Sequence, residues 1–300
     1  MTTDSAIRTR GLSKDYGAGN GLFDLDLDVQ RGEIFGFLGP NGAGKSTTMR
    51  LLVDLIRPTA GTATVLGHDT RTDSLAVRRR VGFLPGDLAL HPKLTGRAQL
   101  DHLAALQGGG DPRVRDELAE RFHAQLDRPV RELSTGNRQK IGLIQAFMHE
   151  PEVVILDEPI AGLDPLVQQS FHELLHEVAA AGRTVFLSSH TLSEVERVAH
   201  RVAILRRGRL VVVDSVDDLR NVAVQRLDVE FAGPPPAAEL RSLPGVRDVT
   251  TEGHHVVVSF EGTADALVKA ISRYEVRAIR SRDADLEEIF LRYYRDDDPA

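Results

Sequence analysis

Residues 39–47 decide the fold of this chain, and they read Gly39-Pro40-Asn41-Gly42-Ala43-Gly44-Lys45-Ser46-Thr47. The pattern G-x-x-x-x-G-K-[ST] is that of the P-loop, in which backbone N–H groups and a helix N-terminus surround a phosphate. An apolar run before it, Ile34 to Leu38, predicts a buried strand, and Thr47 to Ile56 predicts a helix after it. We therefore expect Lys45 to reach the β- and γ-phosphates of a nucleoside triphosphate and Ser46 to bind its Mg²⁺.

A pair of acidic residues follows a second apolar run. Val153 to Leu156 predicts another buried strand, and Asp157 and Glu158 come directly after it. At the end of a strand beside a P-loop, an aspartate can hold Mg²⁺ and a neighbouring glutamate can polarise the attacking water as a general base. An acidic pair at a strand end is weak evidence alone, but the P-loop upstream makes it strong. We therefore expect Asp157 to be a metal ligand and Glu158 to be the catalytic base.

The composition is that of a globular protein and excludes several classes of function. Hydrophobic residues make up 41% and charged residues 27% of the 300 residues. The absence of cysteine excludes disulfides and cysteine-ligated zinc, and it fits a cytoplasmic protein. A net charge of −7 gives no global basic field, so we expect no nucleic-acid partner. No apolar stretch approaches the roughly 20 residues of a membrane-spanning helix, and residues 1–5 lack the layout of a signal peptide.

The order of predicted elements indicates an α/β domain around the P-loop. Strands that alternate with helices predict a mostly parallel sheet with helices on both faces. Nearer the N-terminus, Ile7 to Leu12 and the alternating segment Phe23 to Val29 predict strands of an antiparallel β subdomain, with a turn at Lys14 to Gly17 that is extended by Gly19 to Gly21. Residues from about 87 to 150 predict a mostly helical insertion. We expect this nucleotide-binding domain to occupy residues 1–218.

The sequence pattern changes after about Leu219. From the strand Arg226 to Phe231 onward, the elements follow the order β-α-β-β-α-β, which is typical of a ferredoxin-like split unit. A further helix is predicted over Asp285 to Tyr294. We expect residues 219–300 to form a small α+β accessory domain.

These motifs, in this order along the chain, resemble those of the ATP-binding subunits of ATP-binding-cassette (ABC) transporters over roughly Ile7 to Asp214. The resemblance implies a P-loop NTPase core with a helical insertion and an antiparallel β subdomain. The segment 285–294 and the whole pattern are similar to the daunorubicin-type branch of drug and antibiotic exporters. Besides the P-loop and the acidic pair, the resemblance rests on Leu133 to Gln139 (L-S-T-G-N-R-Q, the signature), Gly162-Leu163-Asp164 (the D-loop), His190 (the switch histidine) and Tyr16 (the aromatic that stacks on adenine).

The resemblance implies an ATPase that uses ATP with Mg²⁺ and powers a separate transmembrane permease subunit. Such a subunit is cytoplasmic and peripheral on the inner face of the cell membrane. It also implies a head-to-tail homodimer, in which Ser134 and Gly136 of one chain complete the ATP site of the other. Both lie at a predicted helix N-terminus, which suits a phosphate. His190 would sense the γ-phosphate and Tyr16 would stack on adenine. The alternatives are an ordinary polar residue at a strand end for the first and simple turn packing for the second.

Three places depart from the family pattern. Gly86 stands where a Q-loop glutamine is usual, so the contact of that glutamine with Mg²⁺ or water is absent or is made by Asp87. Thr135 and Asn137 replace the usual glycine and glutamine of the signature, and Ala161 replaces the usual serine before the D-loop. None of these changes removes a predicted catalytic residue, so hydrolysis is still expected.

Two other functions compete with a transporter subunit. One is a soluble ABC ATPase acting on ribosomes or nucleic acid. Ribosome-acting relatives carry two cassettes in one chain, and DNA-repair relatives carry long coiled coils or zinc cysteines, whereas this sequence has one cassette and neither of those features. The other is a regulatory protein that binds ATP without hydrolysing it, and the presence of Glu158 argues against it.

Overall fold

The computed structural model describes residues 5–109, 111–222 and 225–282. The chain divides into two compact units after Val213, five residues before the boundary expected from the sequence. The helix predicted over Asp285 to Tyr294 lies outside the described residues.

The first unit contains two sheets, seven α-helices and a short 3-10 helix (Val130–Glu132) within its described residues. Its elements, numbered in chain order, are β1 (Ser5–Gly17), β2 (Asn20–Gln30), β3 (Ile34–Leu38), α1 (Lys45–Leu52), β4 (Ala60–Val65), β5 (His68–Asp69), α2 (Ser74–Arg80), β6 (Val81–Leu84), α3 (Gly96–Leu106), α4 (Pro112–Arg121), α5 (Thr135–Phe147), β7 (Val153–Leu156), α6 (Pro165–Ala180), β8 (Thr184–Ser189), α7 (Leu192–Glu196), β9 (Arg201–Arg206) and β10 (Arg209–Ser215), which crosses the boundary.

The larger sheet brings the predicted functional segments to one edge. Its strand order is β10-β9-β3-β8-β7-β6, and the pairs from β9 to β6 are parallel. In a parallel sheet the carboxyl ends of the strands share one edge, where ligands of open α/β sheets bind. The P-loop after Leu38, the acidic pair after Leu156 and His190 after β8 therefore meet there.

The two faces of this sheet have different coverings. Side chains that alternate along its strands, such as Phe35, Phe37 and Phe186, belong to a core shared with α1 and the antiparallel sheet β2-β1-β4-β5. On the opposite face, a Cβ at Gly36 would overlap the side chain of Val195 in α7, so only glycine allows this approach. Helices therefore lie on both faces, as expected, and a second sheet shares one of the faces with α1.

The turn predicted over Lys14 to Gly17, with its extension Gly19 to Gly21, is shorter in the structure. Strand β1 continues through Gly17, which pairs with Asn20, and the chain reverses at Ala18 and Gly19. Both residues have positive φ, 52° and 76°. A two-residue hairpin turn with this backbone matches the twist of its strands, which explains why the strands extend to their tips.

Each of the three α-helices in the helical insertion begins with a side-chain cap. Thr95 caps α3, Asp111 caps α4 and Ser134 caps α5, each by accepting a hydrogen bond from a backbone N–H of the first turn. These helices agree with the mostly helical insertion that the sequence predicted, and the third cap places Ser134 at the beginning of α5.

The second unit has the predicted β-α-β-β-α-β order. Its antiparallel sheet has the strand order β12-β13-β11-β14, and a core that includes Val229, Phe231 and Leu267 joins the sheet to two helices. The sequence missed α8, whose first turn is capped by the Ser215 hydroxyl accepting from the Asp218 N–H. The elements are α8 (Val216–Val222), β11 (Gln225–Phe231), α9 (Ala237–Arg241), β12 (Val246–Glu252), β13 (His255–Phe260), α10 (Asp265–Ile271) and β14 (Val276–Arg282).

Candidate nucleotide site

A cavity of about 350 Å³ opens over the P-loop at the carboxyl edge of the parallel sheet. Two predicted P-loop residues, Gly39 and Ala43, do not line it. A Cβ at Gly39 would come 2.5 Å from the Leu205 carbonyl oxygen, and Ala43 is buried. The hairpin residues Asn20 and Gly21 were not predicted from the sequence, since only the β1–β2 pairing brings them here. The lining residues are Tyr16, Asn20, Gly21, Pro40, Asn41, Gly42, Gly44, Lys45, Ser46, Thr47 and Glu158.

The backbone of the loop takes conformations that favour glycine. Gly42 has φ 81° and Gly44 has φ 108°, and Gly44 precedes the first residue of α1. The exposed N–H groups at the start of a helix, together with its dipole, stabilise an anion at this position. The loop can therefore hold a phosphate at the floor of the cavity.

Lys45 is held inside this site. Its side chain is only 6% exposed, and its Nζ donates to the carbonyl oxygens of Gly39 and Pro40. Its Nζ also lies 3.3 Å from Glu158 Oε1. A buried ammonium needs such partners because burial of an unpaired charge is costly.

The two acids at the end of β7 are oriented by different contacts. Asp157 is 3% exposed, and its Oδ1 accepts a 2.6 Å hydrogen bond from the Ser188 hydroxyl. Glu158 has φ 49°, an uncommon left-handed backbone for a residue other than glycine. Its Oε2 lies 2.9 Å from His190 Nδ1. One carboxylate thus joins Lys45 of the P-loop to His190.

His190 and Tyr16 occupy positions compatible with their predicted roles. His190 follows β8, and its side chain contacts Glu158. It therefore lies next to the acidic pair and is not an isolated polar residue at a strand end. Tyr16 lines the cavity, is 55% exposed and lies in β1, with Lys14 Nζ 5.5 Å from its ring centroid. An exposed ring beside a phosphate site offers a stacking surface, and the adenine contact stays a prediction.

The signature residues do not line this cavity within the described structure. Ser134 Oγ accepts from the Asn137 N–H at the start of α5. A Cβ at Gly136 would come 2.6 Å from the carbonyl oxygen of Gly162 in the D-loop. The signature loop therefore packs directly against the D-loop of its own chain.

Two other signature residues have structural contacts that the sequence did not reveal. The Asn137 side chain accepts from the Gln125 N–H at 2.8 Å and donates to the Gln125 carbonyl oxygen at 2.9 Å. Gln139 donates to the carbonyl oxygens of Glu158 and Pro159. Helix α5 is thereby tied both to the segment after α4 and to the segment that leaves the acidic pair.

The Q-loop position differs from expectation. Asp87 is 94% exposed and its Oδ2 lies 3.2 Å from Arg50 Nη2, so it does not replace the usual glutamine at the acidic pair. Gly86 instead lies against Asp157, since a Cβ at Gly86 would come 3.0 Å from Asp157 Oδ2. The missing side chain leaves room for the carboxylate.

The donor set at this edge fits Mg²⁺. Ser46 and Asp157 offer oxygen atoms only, which Mg²⁺ prefers. Glu158 Oε1 is buried and accepts no hydrogen bond within the described part of the chain. In residues 5–109, 111–222 and 225–282, no cluster of three His, Asp or Glu could hold a metal alone. Mg²⁺ bound with phosphates and water needs only one or two protein ligands.

Comparison with known proteins identifies the family. The sequence profile of the ABC transporter family matches residues 22–161. The chain is 36% identical to the daunorubicin resistance ATP-binding protein DrrA3 of Streptomyces coeruleorubidus, over 98% of this chain and 97% of that protein. This chain belongs to the ABC transporter ATP-binding proteins. It is an ABC-type ATPase, as its motifs imply, and the resemblance to the daunorubicin-type branch is confirmed.

Other relatives extend this result. The chain is 32% identical to the bacitracin transport ATP-binding protein BcrA of Bacillus licheniformis, over 89% of this chain and 85% of that protein. A solved ATP-binding subunit of an ABC transporter is 31% identical and superposes with a TM-score of 0.67, over 72% of this chain and 92% of that one. The expected ABC ATPase fold is thereby confirmed. In the described residues, no helix has the length and apolar character needed to cross a bilayer.

Proposed function

We propose that this ATPase works as a head-to-tail homodimer that powers export through a separate transmembrane permease, from the inner face of the cell membrane. The observation that carries the proposal is the position of Glu158 in the P-loop cavity, between Lys45 and His190. A glutamate so placed can act on water next to a γ-phosphate. In this proposal Glu158 is the general base, and His190 holds the Glu158 carboxylate in position.

Lys45 and Glu158 pair with each other, with Lys45 Nζ 3.3 Å from Glu158 Oε1. A triphosphate on the P-loop competes for Lys45, since its oxygens carry more charge than one carboxylate. Glu158 then keeps His190 as its partner and accepts a proton from water. Mg²⁺, held by Ser46 and Asp157, would neutralise charge on the phosphates during their transfer.

The position of the signature supports a dimer. Ser134 and Gly136 are fixed at the start of α5 but do not line the P-loop cavity in the described structure. A helix N-terminus suits a phosphate, so the signature can serve an ATP bound to another chain. The dimeric cassette MJ0796, at 21% identity and a TM-score of 0.63, supports the shared fold.

A separate groove beside the site supports a partner protein. Its volume is about 520 Å³, and its walls include Leu55 and Leu106, which are 56% and 72% exposed. Arg50 and Asp87 pair at its rim, one residue from Gly86. An exposed apolar groove with charged groups at its edge suits a segment of a partner, and we assign it to the permease. Contacts in the groove would reach Asp157 through Gly86.

Export is the direction favoured by the relatives. Their names refer to daunorubicin resistance, bacitracin transport and, for a protein of Paraburkholderia xenovorans at 33% identity, Nod factor export. From these names we propose for this chain only the direction of transport, export, and no particular substrate. A soluble ATPase on ribosomes or nucleic acid has no observation in its favour, and the net charge of −7 argues against it.

Mixed dimers test the composite site. Complexes are purified from membranes through tags on two differently tagged chains, Ser134→Arg and Lys45→Ala. Only the mixed dimer then combines an intact P-loop with an intact signature, at one of its two sites. We expect ATP hydrolysis to be lost in either variant alone and to return in part on mixing.

The matched control mixes Lys45→Ala with the double variant Lys45→Ala/Ser134→Arg, which leaves every P-loop without its lysine. Recovery confined to the first mixture supports the dimer. Parent activity from Ser134→Arg alone contradicts it. A purified complex without any membrane-spanning chain contradicts the permease assignment.

A further inference from the structure

Ser188 lies between the two acids of the site. It is fully buried at the end of β8, in the strand next to β7. Its hydroxyl donates to Asp157 Oδ1 at 2.6 Å and accepts from the Glu158 N–H at 3.0 Å. A hydroxyl has one proton to donate, and Ser188 donates it to Asp157, the proposed metal ligand. A lone pair of the same oxygen accepts the backbone N–H of Glu158, the proposed base.

The contact between Ser188 and Glu158 replaces a backbone hydrogen bond at the point where the pairing of β7 with β8 ends. The last paired residues of β7 and β8 are Leu156 and Leu187. Beyond them the Ser188 side chain, instead of a backbone carbonyl, receives the Glu158 N–H. Glu158 has φ 49° at this point, and the turn directs its carboxylate to Lys45 and His190. The hydroxyl therefore supports the uncommon backbone conformation that aims the base.

The contact with Asp157 sets the orientation of its carboxylate. Ser188 holds Oδ1, and Oδ2 faces the space that a Cβ at Gly86 would occupy, 3.0 Å away. The carboxylate thus lies between a donor on one side and a bare backbone on the other. Such outer hydrogen bonds fix the direction in which a carboxylate presents its oxygens to a metal.

We propose that Ser188 is the positioning residue that aligns the Mg²⁺ ligand and the catalytic base as one unit. This inference rests on the proposed roles of Asp157 and Glu158 in ATP hydrolysis. Ser188 is fully buried and is not among the described residues that line the P-loop cavity. A purely structural role would require only that the buried Glu158 N–H be satisfied, and its loss would lower stability without changing the response to metal.

The neighbouring serine provides a matched control. The Ser189 hydroxyl also donates to a carboxylate, Glu194 Oε2, and accepts from a backbone N–H, that of Thr191. It is 2% exposed, so its burial is nearly the same. Ser189→Ala therefore removes the same kinds of hydrogen bond without touching Asp157 or Glu158.

The experiment compares Ser188→Ala, Ser188→Thr and Ser189→Ala in the purified complex. Mn²⁺ affinity is measured by electron paramagnetic resonance with a non-hydrolysable ATP analogue, and nucleotide affinity is measured separately in EDTA. Loss of an outer-shell partner typically weakens metal binding or activity by about 10- to 100-fold. We expect that loss of Mn²⁺ affinity, and a similar loss of turnover, in Ser188→Ala. Nucleotide affinity in EDTA should be unchanged, because Lys45 and the P-loop remain.

Ser188→Thr keeps the hydroxyl and should restore most of the Mn²⁺ affinity, and Ser189→Ala should keep the parent Mn²⁺ affinity. If Ser188→Ala does not fold, Ser188→Cys keeps nearly the same volume with a weak donor and should show the metal defect. Parent-like Mn²⁺ affinity and turnover in Ser188→Ala or Ser188→Cys overturn the inference, as does an equal defect in Ser189→Ala. Failure of the proposed roles of Asp157 and Glu158 is distinct, since Asp157→Ala would then keep the parent Mn²⁺ affinity or Glu158→Gln would keep the parent turnover.

Discussion

Glu158→Gln tests the catalytic assignment because it removes a charge and a base while keeping the shape of the side chain. Glutamine can still reach His190 Nδ1, which lies 2.9 Å from Glu158 Oε2. It cannot accept a proton from water. Loss of a positioned general base costs about 10²–10⁴ in rate, or about 3–5 kcal/mol of barrier. We therefore expect turnover to fall by that factor with the fold intact.

The same substitution should preserve or strengthen ATP binding. Glu158 Oε1 lies 3.3 Å from Lys45 Nζ, in a pair whose lysine is only 6% exposed. Removing the negative charge frees Lys45 for phosphate, so the carboxylate no longer competes with ATP. An intact Ser46 and Asp157 keep the proposed metal contacts. ATP-bound dimers should then accumulate, because opening awaits hydrolysis.

Phosphate release measures turnover, a fluorescent nucleotide measures affinity, and size-exclusion chromatography with ATP and Mg²⁺ measures the dimer. Glu120→Gln is the matched control, since it makes the same chemical change on an exposed position of α4. Hydrolysis at the parent rate in Glu158→Gln would remove Glu158 from the mechanism. Weaker ATP binding than in the parent would refute the competition for Lys45.

Two further predictions follow from packing and burial. Gly86→Gln should leave ATP affinity in EDTA unchanged but raise the Mg²⁺ concentration needed for half-maximal hydrolysis. The reason is that its Cβ would crowd Asp157 Oδ2 at 3.0 Å. An unchanged Mg²⁺ titration would show that the Asp157 carboxylate moves away freely. Burial lowers the pKa of His149 from 6.5, so as pH falls the unfolded chain binds a proton before the folded chain does, and stability is lost below about pH 6.5. His149→Gln should flatten that loss by up to about 1.4 kcal/mol per pH unit in urea denaturation followed by circular dichroism, and equal slopes for parent and variant would contradict the assignment.

Local motifs explain why the centre of the site could be predicted. The P-loop residues are contiguous, and the strand ends that carry Asp157 and His190 are marked by short apolar runs. The rule that parallel strands share a carboxyl edge then brings them together without further information. Lys45 and Glu158 are 113 residues apart in sequence, yet this rule is enough to predict their proximity.

The contacts that refine the site depend on register and on distances between elements. Ser188 and Ser189 are adjacent and chemically identical, and only the pairing of Leu156 with Leu187 decides which hydroxyl meets Asp157. The position of the hairpin turn at Ala18 and Gly19 was also open in the sequence, because three glycines near Tyr16 allow several places for a turn. The sequence shows that Gly86 lacks a side chain, but not that its absence accommodates a carboxylate.

The contact between Gly136 and Gly162 has a consequence for how this chain can change by mutation. Any side chain at position 136 would come within 2.6 Å of the Gly162 carbonyl oxygen, and Gly162 itself has φ 75°. Position 136 accepts a larger residue only if the loop at Gly162, 26 residues later, moves. A Cβ at position 162 would come no closer than 3.8 Å to Thr135, so there the positive φ is what disfavours a side chain. The constraint therefore runs in one direction: a substitution in the signature at position 136 has to be accommodated by a change in the D-loop, whereas a substitution at position 162 is limited by its own backbone.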